Sequence, residues 1–172
     1  LLTPTFESLG GFGYWLVFLI AFAESVAFVG ILVPGSILMY LVGFISSQGY
    51  LNIVTLIWFA AAGAILGDGL SYFLGTKGKN FFHNENRFLK LSHIERGEEF
   101  FQKHGPKSVF LGRFIGPLRP IVPFIAGLSR MDKKIFFLWN ISSGFLWAVS
   151  HLLVGYFFGG AISIIETWTT RA

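Results

Sequence analysis

No cysteine occurs in the 172 residues, so disulfides, thiol nucleophiles and cysteine-ligated metals are excluded. Charge is scarce too. Asp, Glu, Lys and Arg together make 13% of the chain, about half the share of a soluble globular domain. Lys and Arg are absent before Lys77. The four histidines show no metal-ligand spacing and no His-x-x-x-His pair, which speaks against a zinc site. Ser25, Ser36, Ser142 and Ser143 have no nearby His/Asp arrangement that would make a nucleophile. The glycines form neither a P-loop nor a dinucleotide fingerprint. The expectation is a protein that is not an enzyme, with no cofactor and no metal. Nor does the start read as a cleaved signal peptide, since it lacks a positive n-region and its apolar run is far too long.

What is present is apolar. Hydrophobic residues make 53% of the chain, 21 residues are phenylalanine, and mean hydropathy is +0.65. These values predict an all-α integral membrane protein, with residues 1–172 forming one membrane domain. Residues 77–107 hold seven basic side chains: Lys77, Lys79, Arg87, Lys90, Arg96, Lys103 and Lys107. The positive-inside rule places this linker in the cytoplasm. Glu85, Glu95, Glu98 and Glu99 are interleaved with them, so the basic charge does not read as a nucleic-acid surface.

Residues 1–12 read as an interfacial lead-in. The apolar stretch 13–45 contains Glu24 and a break at Pro34-Gly35. It is too long for one crossing of about 20 residues and too short for two with a turn. A re-entrant hairpin tipped by Pro34 and Gly35 fits it, with two short tilted spans as the alternative. A full crossing over 53–75 follows, then the linker, in which 94–103 suits a surface helix. Residues 108–129 read as a second re-entrant hairpin, formed by Pro117, Pro123 and Gly127, and 135–158 as a second full crossing. Placing residues 13–35 on 105–127 without a gap matches Gly13/Gly105, Val17/Val109, Phe18/Phe110, Leu19/Leu111, Phe22/Phe114 and Gly35/Gly127. A hairpin plus a crossing, repeated after an odd number of crossings, predicts an inverted repeat of the kind from which secondary transporters are built.

Arg113 and Arg119 lie inside the second hairpin, among Pro117, Pro120 and Pro123. A charge at bilayer depth costs at least ~2.5 kcal/mol and is functional by default. Two guanidiniums that converge across a turn near Pro117 suit an anion, phosphate above all. The competing reading has them snorkel to the interface and bind headgroups nonspecifically. Glu24 is the one acid of the first hairpin. It is an arginine's partner, a protonatable coupling group, or a neutral acid bonded to freed backbone. Asp68 is a counter-ion or proton relay, or else an interfacial acid. Asn140 and His151 read as ties between helices, and His104 as a surface histidine.

The order and spacing of several pieces carry a resemblance. They are Glu24 ahead of Pro34-Gly35, Gly67-Asp68 with Tyr72 and Gly75, and Phe101-Gln102-Lys103-His104-Gly105. Arg113-Phe114, Arg119, Pro123 through Gly127, Asn140, Trp147 and Gly155 through Gly159 follow. Over nearly the whole chain this resembles the DedA family of bacterial membrane proteins. The resemblance implies two opposed re-entrant hairpins in a multi-pass protein of the bacterial cytoplasmic (inner) membrane. It implies a translocase that moves a lipid phosphate, undecaprenyl phosphate, between leaflets with dependence on the proton gradient. It implies substrate binding by Arg113 and Arg119 and coupling through Glu24, with Asp68 beside it, and membrane lipids and polyprenyl phosphate as partners. The alternative is a proton-coupled exporter of small cations, which suits the acids and not the arginines. Ser36 stands where many members carry an acid after Pro-Gly, which leaves the two-carboxylate coupling scheme open. The spelling Arg-Phe-Ile-Gly-Pro-Leu-Arg resembles members fused to a phosphatidic-acid-phosphatase-type domain, so a fused or associated phosphatase is an expected partner and a longer parent protein is expected.

Overall fold

Where apolar sequence runs on without proline the helices run on, and where proline clusters they fall into single turns. The computed structural model of the chain describes residues 3–27, 29–30, 35–77 and 91–169. Every regular element among them is a helix. Helix α1 spans Thr3–Ser25, so the described part of the expected lead-in is simply its first turns. Helix α2 spans Gly35–Ser47; Pro34 lies outside the described residues. The chain has left the helix after Ser25, well before the Pro34-Gly35 pair. The break is held from the side, because the Ala27 N–H donates to Ser71 Oγ at 2.7 Å. A backbone donor freed inside an apolar layer needs such a partner.

Helix α3, Ile53–Thr76, starts where Asn52 Oδ1 accepts the Thr55 N–H at 3.0 Å. Helix α4 spans Leu91–His104, longer at its start than the 94–103 of the sequence reading. Next come two short helices, α5 (Ser108–Gly112) and α6 (Val122–Leu128). Helix α7, Lys133–Thr169, continues beyond the 158 at which the sequence reading stops, because no Pro or polar cluster interrupts its second half. Between α5 and α6 the backbone bonds to itself. Leu118 and Arg119 donate to Ile115 O at 2.9 and 3.1 Å, and Ile121 donates to Leu118 O at 3.0 Å. Pro117, Pro120 and Pro123 occupy positions where no donor is required.

Helix α1 lies along α3 and α2 along α7, while α3 also touches α6 and α7. Three crossings bring backbones into close approach at glycine, the first where a Cβ on Gly63 or Gly67 of α3 would strike the Phe18 or Phe22 carbonyl of α1. A Cβ on Gly75 or Gly127 would strike the Phe124 or Tyr72 carbonyl, joining α3 to α6; one on Gly43 or Gly155 would strike the Leu152 or Tyr40 carbonyl, joining α2 to α7. Two large apolar clusters, with a small one of Ile121 and Ile125 beside them, form the core of the described residues. One gathers Val17, Met39, Leu56, Ala60, Ala64, Trp147 and Leu152; the other gathers Tyr72, Val109, Val122, Ala126 and Phe136. Helices α3 and α7 run through both, and the positions between the clusters are Asp68 on one helix and Asn140 on the other.

The distribution of polarity is inside out. Glu24, Asp68, Arg113, Arg119 and Asn140 are buried, whereas Trp15, Ile37, Trp58, Leu138, Phe157 and Phe158 are more than half exposed. Water would penalise that surface, and hydrocarbon does not. Helix α3 and the Lys133–Gly159 part of α7 are long and apolar enough to cross a bilayer, with mean hydropathies of 1.8 and 1.4. Helix α2 and the Gly11–Ser25 part of α1 are apolar but shorter.

Candidate functional site

Helices α1 and α3 and the segment between α5 and α6 deliver charge to the layer between the apolar clusters. Asp68 comes from the buried face of α3, beside Gly67, where a Cβ would strike the Phe22 carbonyl of α1. Arg113 follows the last turn of α5, and its Nη2 meets Asp68 Oδ2 in an ion pair with both side chains almost fully buried. The same Nη2 donates to Asn140 Oδ1 at 2.7 Å. Asn140 Nδ2 in turn donates to Ile65 O at 3.0 Å, which fixes the amide so that its oxygen faces the guanidinium. Asn140 thus ties α7 to α3 and also positions Arg113.

Arg119, after the 3₁₀ turn Gly116–Leu118, forms the second pair. Its Nη1 lies 2.6 Å from Glu24 Oε1 and donates to Ser36 Oγ at 3.1 Å. Ser36 completes a triangle: its N–H and hydroxyl donate to Glu24 Oε1 at 3.0 and 2.8 Å. The hydroxyl therefore bridges acid and arginine as donor to one and acceptor from the other. The guanidinium plane of Arg119 also stands over the Trp147 ring, 3.9 Å from its centroid, an attraction strengthened by exclusion of water.

The two arginines, six residues apart, are brought to one cavity of about 310 Å³. Its wall includes Glu24, Gly30, Ser36, Tyr40, Arg113, Phe114, Gly116, Arg119, Pro120, Trp147 and His151. Asp68 is not in that wall, so it neutralises Arg113 from behind. The wall itself carries two guanidiniums against one carboxylate. Within this site Nε and Nη1 of Arg113, and Nε and Nη2 of Arg119, are buried without a hydrogen-bond partner. Buried donors of this strength are normally satisfied, and a tetrahedral oxyanion offers acceptors that suit them.

Glu24, Asp68, Arg113 and Arg119 thus form two ion pairs in one layer. Gly35 opens α2 directly against Glu24, where a Cβ would collide with the carboxylate. Pro117 lies in the turn that separates the arginines, and Pro123 and Gly127 lie in α6. The sequence reads His151 as a tie between helices and Ser36 as a departure after Pro-Gly, and it gives no site role to Tyr40 or Trp147; all four line the cavity. His151 Nδ1 lies 3.0 Å from Trp147 O, and its ring sits between Tyr40 and Trp147 at 4.9 Å from each. The available signal was register: Ser36 and Tyr40 on α2, and Trp147 and His151 on α7, are each four apart on one helix face. His104 Nδ1 lies 3.0 Å from Phe100 O at the end of α4, away from this cavity.

The VTT domain model matches residues 33–157. The chain is 31% identical over 160 residues to Protein DedA of Escherichia coli strain K12, covering 89% of this chain and 73% of that protein. It is 35% identical over 151 residues to the inner membrane protein YabI of the same strain, covering 86% and 59%. It is 36% identical over 154 residues to an uncharacterized membrane protein of Buchnera aphidicola subsp. Acyrthosiphon pisum, covering 88% and 60%. The chain thus spans about three fifths of the length of two of these relatives. No solved structure matches it.

Proposed function

This chain belongs to the DedA family of VTT-domain membrane proteins, and we propose that it moves a lipid phosphate between the leaflets of a membrane. The observation that carries the proposal is the pair of buried arginines, with four unpartnered nitrogens, on the wall of one cavity. The lipid is undecaprenyl phosphate, the membrane is the bacterial cytoplasmic membrane, and the protein acts as a translocase without catalysing a covalent step. The partners are membrane lipids and a fused or associated lipid-phosphate phosphatase.

The architecture proposed for this task is an inverted repeat of two units, each a re-entrant hairpin followed by a crossing. Reciprocal packing supports it: α2, from the first unit, lies on α7 of the second, and α6, from the second, lies on α3 of the first. Both crossings use glycine against a carbonyl. Such a pair can rock about its centre, exposing the cavity first to one side and then to the other.

Coupling to protons follows from competition for Arg119. Glu24 Oε1 holds Nη1 of Arg119, so an incoming phosphate and an ionised Glu24 contend for the same guanidinium. Protonation of Glu24 removes the one negative charge from the cavity wall. Phosphate binding and proton binding therefore favour each other, and the two move in the same direction. Asp68, paired behind the wall, holds Arg113 in place. An exporter of small cations would bring its cargo to a wall that carries two guanidiniums against one carboxylate, which repels it.

The test is transport of a labelled polyprenyl phosphate by the full-length protein in proteoliposomes. Acceleration by an inwardly directed proton gradient, lost on replacing either arginine, is the expected result. Transport of small cations with no movement of lipid phosphate would reject the proposal.

A further inference from the structure

The seam between α2 and α7 continues past the cavity. Along α2, Ser36 and Tyr40 line the cavity, and Tyr40, Leu41 and Phe44 line a second hollow. Along α7, Trp147 and His151 line the cavity, and Val154, Gly155 and Phe158 line the hollow. Steps of three and four residues keep each set on one helix face. Tyr40 is the shared wall, its ring stacked on His151 at 4.9 Å.

The hollow has a volume of about 350 Å³ and is lined by hydrocarbon apart from the Tyr40 phenol. At Gly155, which lines it, the α7 backbone lies against the Tyr40 carbonyl of α2. Leu41 and Val154 form the rims, 53% and 44% exposed. From Trp147 to Phe158 the helix rises roughly 16 Å. Charge stands at one end of this stretch and apolar side chains at the other.

We infer that the groove holds the hydrocarbon tail of the lipid whose phosphate enters the arginine cavity, an inference that rests on the phosphate reading above. The site is then built for an amphiphile with one long chain running from a monophosphate headgroup, laid along the α2–α7 seam. Bilayer lipids wet every apolar face of a membrane protein. This groove differs because it lies on the same α2–α7 seam as the headgroup cavity and shares Tyr40 with it, so one molecule that passes over the Tyr40 ring fills both.

Two probes separate the groove from the cavity: a long-chain polyprenyl monophosphate and a short, water-soluble alkyl monophosphate. Leu41→Trp and Val154→Trp fill the groove from its exposed rims and touch none of the charged residues. Binding is measured on the purified full-length protein. Both variants are expected to lose about tenfold in affinity for the long-chain probe, the loss from excluding roughly two methylenes. They are expected to bind the short probe as the unaltered protein does, which also reports that the cavity is folded. Unchanged long-chain affinity in both variants overturns the groove while leaving the phosphate cavity standing. Equal loss of both probes overturns it too, because the groove would then not discriminate tails. If the unaltered protein fails to bind the short probe, the phosphate reading falls and the groove inference falls with it.

Discussion

Arg119 spends one nitrogen and one face of its guanidinium inside the protein: Nη1 on Glu24 and Ser36, and its plane on Trp147. Nε and Nη2 remain on the planar fork. An ammonium has no plane to stack and no second edge to offer. Arg113→Lys and Arg119→Lys are therefore expected to lower lipid-phosphate affinity by roughly ten- to a hundredfold, the worth of one charged hydrogen bond. Equilibrium binding normalised to folded protein checks this, and a lysine variant that behaves normally would favour the snorkelling reading. The two acids are expected to differ. Asp68 sits behind the wall with both pair members nearly sealed, whereas Glu24 lines the cavity. Asp68→Asn leaves a buried guanidinium uncompensated and should reduce stability by about 3 kcal/mol, read as a lowered thermal midpoint in detergent. Glu24→Gln can keep the Ser36 and Arg119 contacts, and its expected effect is on coupling. Transport down a lipid gradient continues, and acceleration by an imposed pH gradient disappears. Unaltered pH-gradient response in that variant would remove Glu24 from the coupling scheme.

At the scale of elements, the end of α6 carries an avoidable strain. The Arg130 N–H donates to Gly127 O and the Met131 N–H to Ala126 O, both at 3.0 Å. This is the Schellman arrangement, in which the residue after the cap takes a left-handed conformation and is usually glycine. Arg130 occupies that position with φ of 52°. A side chain there costs about 1–2 kcal/mol, partly offset by the extra freedom glycine has when unfolded. Arg130→Gly should raise the thermal midpoint by a few degrees. A fall would show that the arginine makes a compensating contact at the membrane surface. The α2–α7 crossing is the opposite case. Gly155→Val would push the Tyr40 carbonyl away, separating the helices that carry Ser36 and His151 to the cavity.

For the whole molecule, the Tyr72 hydroxyl donates to Met131 O at 2.5 Å. The start of α7 therefore sits beside the end of α3, so the two long helices run antiparallel. Asn52, at the other end of α3, is remote from Lys133. Single cysteines at Asn52 and Lys133, both exposed, should label from opposite faces of the membrane. Lys133 should be reached from the cytoplasm, given the basic residues around it. Labelling of both from one face would sink the inverted-repeat topology.

Some of this protein could be read from sequence because rare residues stand out against an apolar background. The shortage of charge and 53% hydrophobic composition required a membrane protein, since water cannot solvate that surface. Two arginines among three prolines drew notice for the same reason: each is costly in lipid and must be compensated. The helical character of 53–75 followed from a long run without a breaker. Other features depended on three-dimensional packing. Nothing local decides that Asp68 pairs with Arg113 and Glu24 with Arg119, because each pair joins helices whose approach is set by glycines meeting carbonyls elsewhere. In sequence Ser36 is a departure after Pro-Gly, Trp147 one piece of a resemblance, His151 a tie between helices and Tyr40 unremarkable; the four became one cavity wall only when α2 was laid against α7. Composition and periodicity report what each residue needs around it. Which residue supplies that need is settled by how the helices cross, and the crossing is a property of the assembled fold.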